Sequence, residues 1–326
     1  MFSLETIRNQ IPYCLKETHF KGLSGGKYEG KVRDNYIVGD KRILIASDRL
    51  SAFDRIITTI PFKGEILNLL TKFWFEKTSD IVKNHAIAFP DPNVTVAWQC
   101  QSLPIEIVVR GYLTGVTSTS AWYHYERGAR NFCGNILPEG MKKNQKFDQP
   151  IITPSTKAEH GAHDESLSPE EILKRGLLDE KLLKKMMDIA MKLYLRGREI
   201  CAKQGMIFVD TKYEFGLLNK ELILIDEIHT PDSSRFWFEN TYQELFEKGE
   251  EQKKIDKEYM RQWLKSQGFT GDSEIPQIPD EIRGETARRY IEAFELITGT
   301  TFHGTVGNVG ERIEKNLREF LKNSIS

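Results

Sequence analysis

The stretch Val209-Asp210-Thr211-Lys212-Tyr213-Glu214-Phe215-Gly216 sets charged side chains at every second position, and that alternation decides how the rest of the chain is read. In an extended strand successive side chains point to opposite faces, so Asp210, Lys212 and Glu214 share one face. The apolar runs Met206–Asp210 and Leu222–Asp226, separated by the polar turn Asn219-Lys220-Glu221, have the pattern of an antiparallel strand pair, the second strand ending in Asp226 and Glu227. Two carboxylates from neighbouring strands suit a Mg²⁺ ion otherwise held by water and phosphate oxygens, and Lys212 between them offers positive charge to an anion. The same alternation also describes a salt-bridged strand face in solvent, and these residues alone leave both readings open.

Working outward, Leu182, Leu183, Met186, Ile189, Ala190, Leu193 and Tyr194 define one apolar face of a helix over Asp179–Gln204 that Gly205 ends. Ser168-Pro169-Glu170-Glu171 starts another helix: Ser168 caps, Pro169 suits the first turn and Glu171 reaches back. Between Asn131 and Leu167 lies a Pro/Gly/Thr/Ser-rich stretch with too little apolar periodicity for a core element, which predicts a long loop. The first third reads as sheet-rich: Tyr28, Val32, Tyr36 and Val38 surround a Gly-Lys, and Gly39-Asp40 turns the chain into Arg42–Ala46. A helix carrying Ile66, Leu69, Leu70, Phe73 and Trp74 follows, then a strand over Pro104–Arg110. After Pro231 the chain turns helical near Glu239–Lys248, Lys257–Ser266 and Asp280–Thr298, and Val309, Ile313, Leu317 and Phe320 predict a packing helix.

A chain of 326 residues exceeds the usual single core. The expected division is a sheet-rich nucleotide-binding lobe (1–112), a second α/β lobe with the metal and substrate site (113–238) and a helical region flanking it (239–326). The 46 basic and 47 acidic residues cancel, which excludes the strong positive field of a protein that grips nucleic acid through its phosphates. No apolar run approaches membrane-spanning length, and MFSLETIRNQIPYC lacks a secretory layout, so the cytoplasm is the expected compartment. Cys14, Cys100, Cys133 and Cys201 form no CxxC pair and read as reduced thiols.

Three further clusters carry chemistry. In GGKYEGKVRDNY (25–36) glycines permit close backbone approach and Lys27, Lys31 and Arg33 offer phosphate-binding charge; the segment is either a hairpin over nucleotide phosphates or an exposed basic hairpin, and no Walker sequence is present. EIVVRGYLTG (106–115) ends a strand at Arg110, and HTPDSSRFW (229–237) sets Ser233, Ser234 and Arg235 behind a Pro-Asp turn; both suit an anion, and both also suit local salt bridges. PIITPSTKAEHGAHDES (150–166) gathers Lys157, Glu159, His160, His163, Asp164 and Glu165 without an HExxH pattern, which favours a polar substrate-closing loop over zinc.

Read in order, YEGKVRDNY, ASDRLSAFD, LPIEIVVRGYLTG, LPEG, ITPSTKAEHGAHDE, VDTKYEFG, LIDEIHTPDSSRFW and RRYIEAFELITG resemble the SAICAR synthetase (phosphoribosylaminoimidazole-succinocarboxamide synthase) family in its longer single-chain form. The resemblance covers Tyr28 to Gly299. It implies a two-lobed α+β fold, analogous to ATP-grasp and protein-kinase nucleotide sites, with a C-terminal helical extension. It further implies a ligase that uses ATP and Mg²⁺ to join carboxyaminoimidazole ribonucleotide to L-aspartate through an acyl phosphate, as a monomer or small homo-oligomer, without nucleic acid or membrane. Carried over by motif, Gly30, Lys31, Arg33 and Glu106 are expected at ATP and Glu214 and Asp226 at the metal. Arg110, Asp210, Lys212, Ser234 and Arg235 are expected at the ribonucleotide, with Lys212 and Asp210 the catalytic pair. The Asp48–Asp54 and Thr156–Asp164 loops are expected as walls for aspartate or a closing lid. Two positions depart from the family pattern: Val116 stands where a small hydroxyl residue is common, with Thr117 or Ser118 the expected substitute, and His160 stands where some relatives have Gln. Another ATP-dependent carboxylate–amine ligase, a small-molecule kinase or a nucleotide-sensing module are the alternatives.

Overall fold

The computed structural model describes residues 2–20, 26–53, 55–157, 164–255, 258–271 and 273–324. Expectations placed on Gly25, Asp54, Glu159, His160, His163 and Lys257 lie outside the described residues.

After α1 (Leu4–Asn9), strands β1 (Lys27–Glu29), β2 (Arg33–Val38) and β3 (Lys41–Ala46) form an antiparallel meander, the expected hairpin with one strand more. A separate hairpin, β4 (Arg49–Ala52) and β5 (Arg55–Thr59), leads into helix α2 (Lys63–Lys77). Then β6 (Ala86–Asp91) and β7 (Val94–Trp98) complete a five-stranded sheet of order β1-β2-β3-β7-β6.

The second sheet begins with β8 (Gln101–Leu113). A short helix α3 (Ala121–Tyr125) and a ribbon of β9 (Asn131–Phe132) with β10 (Asn135–Ile136) lead to β11 (Gln145–Thr156). Helices α4 (Pro169–Lys174) and α5 (Glu180–Ala202) precede β12 (Met206–Leu218), β13 (Glu221–Ile225) and β14 (Ser234–Phe238). The order is β11-β8-β12-β13, with β14 also on β12. Because β13 pairs with Glu214–Leu218 and β14 with Met206–Thr211, the two follow one another along the same edge of β12. The chain joining them therefore turns outward beside Lys212.

Strand β11 corrects the expected long loop. Its buried positions are Phe147, Thr153, Pro154 and Ser155, which give no apolar alternation to read, and it is held to β8 by a ladder from Ile151↔Arg110 to Thr156↔Ile105. Its place at the sheet edge tolerates the two prolines, Pro150 and Pro154, that argued against a strand. The capping box at Ser168 is present as expected, with Glu171 N–H on the Ser168 hydroxyl and Ser168 N–H on the Glu171 carboxylate.

Alternation along β8 separates the two faces of this sheet. Ile105, Ile107 and Val109 point into one continuous apolar core with Leu183, Met186 and Leu193 of α5 and Ile66, Leu70 and Trp74 of α2, leaving Glu106 and Arg110 on the opposite face. Helix α5 approaches closely at Gly111, where a Cβ would lie 2.2 Å from the Tyr194 hydroxyl. The late helices α6 (Glu239–Lys248), α7 (Glu258–Ser266), α8 (Asp280–Thr298) and α9 (Val309–Ser324) follow. Helix α8 packs on α1 and α2, whereas α9 returns to the first sheet, seating Val309, Ile313 and Leu317 against Ile43, Ile45, Val94 and Val96. Among the described residues no helix is long and apolar enough to cross a membrane.

The first sheet is joined to α2 at Asp48, whose carboxylate accepts the backbone N–H of Leu15 at 2.7 Å and of Gly64 at 2.9 Å. A Cβ on Gly64 would stand 2.3 Å from the Ala46 carbonyl oxygen, a backbone atom that cannot swing away. Gly64→Ala is therefore expected to destabilise the fold by about 2 kcal/mol. Urea unfolding should show a lower midpoint at unchanged slope; a midpoint equal to that of the parent protein would refute the contact.

Candidate active site

The charged row read from the sequence occupies one face of β12, as alternation requires, and its neighbours come from β8. Glu214 lies directly opposite Glu106 and Asp210 directly opposite Arg110. Two facing carboxylates repel, and Lys212 relieves this by donating to Glu106 Oε1 at 2.9 Å and Glu214 Oε1 at 2.6 Å. Lys157, from the end of β11, adds a second ammonium on Glu214 Oε2. Burial raises both acids, but the outcomes diverge. Lys212 and Lys157 outweigh burial at Glu214 and hold it well below the carboxylate range. At Glu106 burial dominates, opposed by Lys212 and reinforced by the charge of Glu214, and the carboxyl is pushed up to about 7. Burial works against the charge of Lys212 too, yet Glu214, Glu106 and Asp226 hold it protonated well beyond its ordinary value.

The facing wall comes from the first sheet. Gly30 N–H donates to the Arg33 carbonyl at 2.8 Å, closing the glycine turn and presenting the Arg33 guanidinium to the second sheet. There Nη1 meets Asp226 at 2.7 Å and Nη2 meets Glu227 at 2.7 Å. Asp226 has a φ of 63°, so the chain turns sharply as it leaves β13 and brings these consecutive acids to one guanidinium. Burial, reinforced by Glu214 and Glu227 and opposed by Arg33, pushes Asp226 up to about 6.

Between the walls is a cavity of about 680 Å³, a size suited to a nucleotide. It gathers Gly30, Lys31, Arg33, Glu106, Lys212, Glu214 and Asp226 from the sequence-derived set, together with Asp232. It does not include Arg110, Asp210, Ser234 or Arg235. Arg110, Asp210 and Arg235 lie one pleat further along the same face, where the Asp210 carboxylate is shared by Arg110 (3.4 Å) and Arg235, whereas Ser234, opposite Thr211, lies on the other face of the strand. Arg110 is fixed by the Thr153 hydroxyl and the Thr119 carbonyl, each at 2.8 Å, and Ser234 donates to the Thr211 hydroxyl at 2.8 Å. Two guanidiniums on one carboxylate leave a net positive charge, the condition for holding an anion.

Some lining residues carried no sequence signal. His85 and Trp98 are isolated residues near strand ends, and Arg261 lies on α7, whose apolar spacing reads as packing. Arg261 has a buried Nε without a hydrogen-bond partner and forms no ion pair among the described residues. At the departure Val116 the side chain is exposed, and the hydroxyl packed closest to Gly115 is Ser120 rather than Thr117 or Ser118; a Cβ on Gly115 would also lie 3.1 Å from Arg235 Nη2.

Among the described residues no three His, Cys, Asp or Glu side chains converge as a metal cage. Of the carboxylates lining the cavity, Glu214 and Asp226 are the pair expected from the sequence; burial first, then the charges of Glu214 and Glu227, raise Asp226, and an added cation would offset that repulsion. Such a donor set fits Mg²⁺, which takes one or two carboxylates and completes its shell with water and phosphate.

The model of the family described as SAICAR synthetase matches residues 26–278. A phosphoribosylaminoimidazole-succinocarboxamide synthase of Legionella pneumophila (strain Paris) is 46% identical over 315 residues, covering 95% of this chain and 100% of the relative. One from Bacteroides thetaiotaomicron is 48% identical over 299 residues, covering 90% and 94%. Among solved structures, the SAICAR-synthase of Saccharomyces cerevisiae complexed with SAICAR aligns with a TM-score of 0.78 at 34% identity, covering 89% of this chain and 100% of that one.

His85 gives this wall a defined acid response. Burial first, then the charges of Arg33 and Arg42, lower its pKa to about 3 from the ordinary 6.5. Below pH 6.5 the unfolded chain takes up a proton that the folded one refuses, so stability falls as pH drops through that window. His85→Leu should remove this response and gain about 2 kcal/mol relative to the parent between pH 7 and pH 5. Parallel stability curves for the two proteins over that range would refute it.

Proposed function

We propose the following residue roles from the premise that this chain belongs to the SAICAR synthetase family. The protein is an ATP-dependent ligase that joins carboxyaminoimidazole ribonucleotide to L-aspartate in purine biosynthesis. The observation that carries the assignment of roles is the position of Lys212. Its ammonium is fixed between Glu106 and Glu214 at the cavity, one pleat from the Arg110–Asp210–Arg235 cluster.

A carboxylate is a poor acyl donor because oxide is a poor leaving group. Transfer of the γ-phosphoryl group of ATP to an imidazole carboxylate oxygen releases ADP and gives an acyl phosphate. The amine of aspartate then attacks the acyl carbon, phosphate leaves with the C–O electron pair, and the amine proton is lost. In this reading Gly30, Lys31 and Arg33 cover the phosphates and Glu106 borders the nucleotide. Arg110, Ser234 and Arg235 hold the ribonucleotide phosphate, with Asp210 aligning both guanidiniums. Lys212 neutralises charge developing at the reacting carboxylate. Glu214 and Asp226 would hold Mg²⁺, which supplies neutralising charge to the triphosphate. Arg33 and Lys157, now paired with those acids, then have phosphate oxygens as alternative partners. Arg261, without a partner among the described residues, is assigned to a carboxylate of aspartate, which a guanidinium fork matches.

The functional division proposed is a nucleotide lobe of 1–112, a substrate lobe of 113–238 and a helical flank of 239–326. By pairing β8 belongs to the second sheet, and by packing α9 belongs to the first. The proposed setting is the cytoplasm, as a monomer or small homo-oligomer.

ADP release should require the imidazole ribonucleotide and aspartate together; release that ignores aspartate would sink the reading. Lys212→Met should lower kcat by roughly 100-fold or more, and Glu214→Gln or Asp226→Asn should raise the Mg²⁺ concentration needed for half-maximal rate. Arg261→Gln should raise KM for aspartate roughly 10- to 100-fold with KM for ATP unchanged. Normal constants in these variants would remove the residues from their roles.

A further inference from the structure

We infer that Tyr290 of α8 and Lys63 of α2 are positioning residues for the turn that carries Ser234 and Arg235, acting through the Asp232 carboxylate. The inference rests on the proposed role of that turn in holding the ribonucleotide phosphate.

The start of α2 breaks three local rules at once. Its N-cap is Phe62 in left-handed backbone (φ 63°), no side chain caps the helix, and the first helical residue is a lysine at the positive end of the helix dipole. Lys63 is moreover fully buried. Nothing local favours a buried cation there, so its stabilisation comes from tertiary contacts. Its ammonium donates to Asp232 Oδ2 at 2.8 Å and stands 5.6 Å from the centre of the Tyr290 ring. The other oxygen, Oδ1, accepts the Tyr290 hydroxyl at 2.6 Å. One carboxylate is thus gripped from two helices, by partners 169 and 58 residues away in sequence.

The turn needs such a grip. Within it, Ser233 N–H reaches the Thr230 carbonyl at 3.1 Å and the Thr230 hydroxyl reaches Glu227 at 2.8 Å, contacts that shape the loop. Its approach uses left-handed backbone at Asp226 and His229, a conformation that persists where the surroundings impose it. The His229 ring is fixed on the core side by the Tyr213 hydroxyl at 2.6 Å. Asp232 is the corresponding anchor on the cavity side, two and three residues before Ser234 and Arg235. By this route the late helix α8 reaches the substrate site without touching substrate.

Tyr290→Phe tests this with least disturbance, since it removes one hydroxyl and leaves the ring beside Lys63. KM for the imidazole ribonucleotide should rise about 5- to 10-fold, while KM for ATP stays within about 2-fold. In an Asp232→Ala background, which removes the acceptor, the same substitution should add nothing further to KM, because its route is already cut. Unchanged KM in a folded Tyr290→Phe enzyme, an equal rise for ATP, or full additivity with Asp232→Ala would each overturn the inference. Arg235→Met is the control for the parent reading: if ribonucleotide KM does not rise there, the assignment of the turn fails, whereas a rise there with none in Tyr290→Phe defeats only the positioning role.

Discussion

One ammonium group sets the electrostatics of this cleft. Lys212 reaches carboxylates on two strands that register places face to face, and without it Glu106 and Glu214 would confront each other as like charges in a poorly solvated groove. About a third of its side chain remains exposed, so the cation serves the fold and the cavity together. The cation also separates the two acids, holding Glu214 ionised while Glu106 takes up a proton more readily. The repeat of the pattern one pleat away, with the charges exchanged, puts one carboxylate between two guanidiniums at Asp210. A single sheet face thus offers a cation between anions next to an anion between cations.

The ion pairs across the cavity have a second consequence. Arg33 is nearly buried against Asp226 and Glu227 and is a charged strut between the two sheets. A strut made of charges is exchangeable in a way that an apolar contact is not, because an incoming phosphate or metal offers each member a replacement partner of the right sign. Burial, with Glu214 and Glu227, disfavours the charge of Asp226 against the opposing Arg33, so a cation there would stabilise the carboxylate, and the pairing of Glu214 with two lysines leaves those lysines open to an anion that draws them off. Most of the charges facing one another across the cleft are therefore already paired.

Local chemistry was legible where it is self-contained. The capping box at Ser168, the bounds of α6 and the alternation over Asp210–Glu214 follow from spacing and are found as expected. Strand β11 was not legible, because its buried positions, Phe147 followed by Thr153, Pro154 and Ser155, show no apolar alternation and the ladder to β8 leaves no mark in the spacing. The ordered motifs named Gly30, Lys31, Arg33, Glu106, Lys212, Glu214 and Asp226 of the cavity lining, but not the pairings among them. Arg33 meets Asp226 across 193 residues and Lys212 meets Glu106 across 106, and spacing says nothing about such contacts. His85, Trp98 and Arg261 were missed for the same reason.

The C-terminal helices show how packing and chemistry become joined. Residues 309–317 looked like filler, and Val309, Ile313 and Leu317 do fill the underside of the first sheet. On the same helix, however, Arg312 inserts between Glu65 of α2 and Asp91 and Asn93 of the first sheet, with contacts of 3.0 and 3.1 Å to the two acids. Glu65 is two residues from Lys63, and Gly64 between them binds Asp48. The first turn of α2 is consequently fixed by α9 on one side, by the Asp48 carboxylate on another and by Asp232 with Tyr290 of α8 on a third. Because that turn lacks a cap of its own, its geometry is a property of the whole chain. The helical extension therefore meets the first turn of α2 through polar side chains as well as apolar packing, α9 by Arg312 on Glu65 and α8 by the Tyr290 hydroxyl on Asp232.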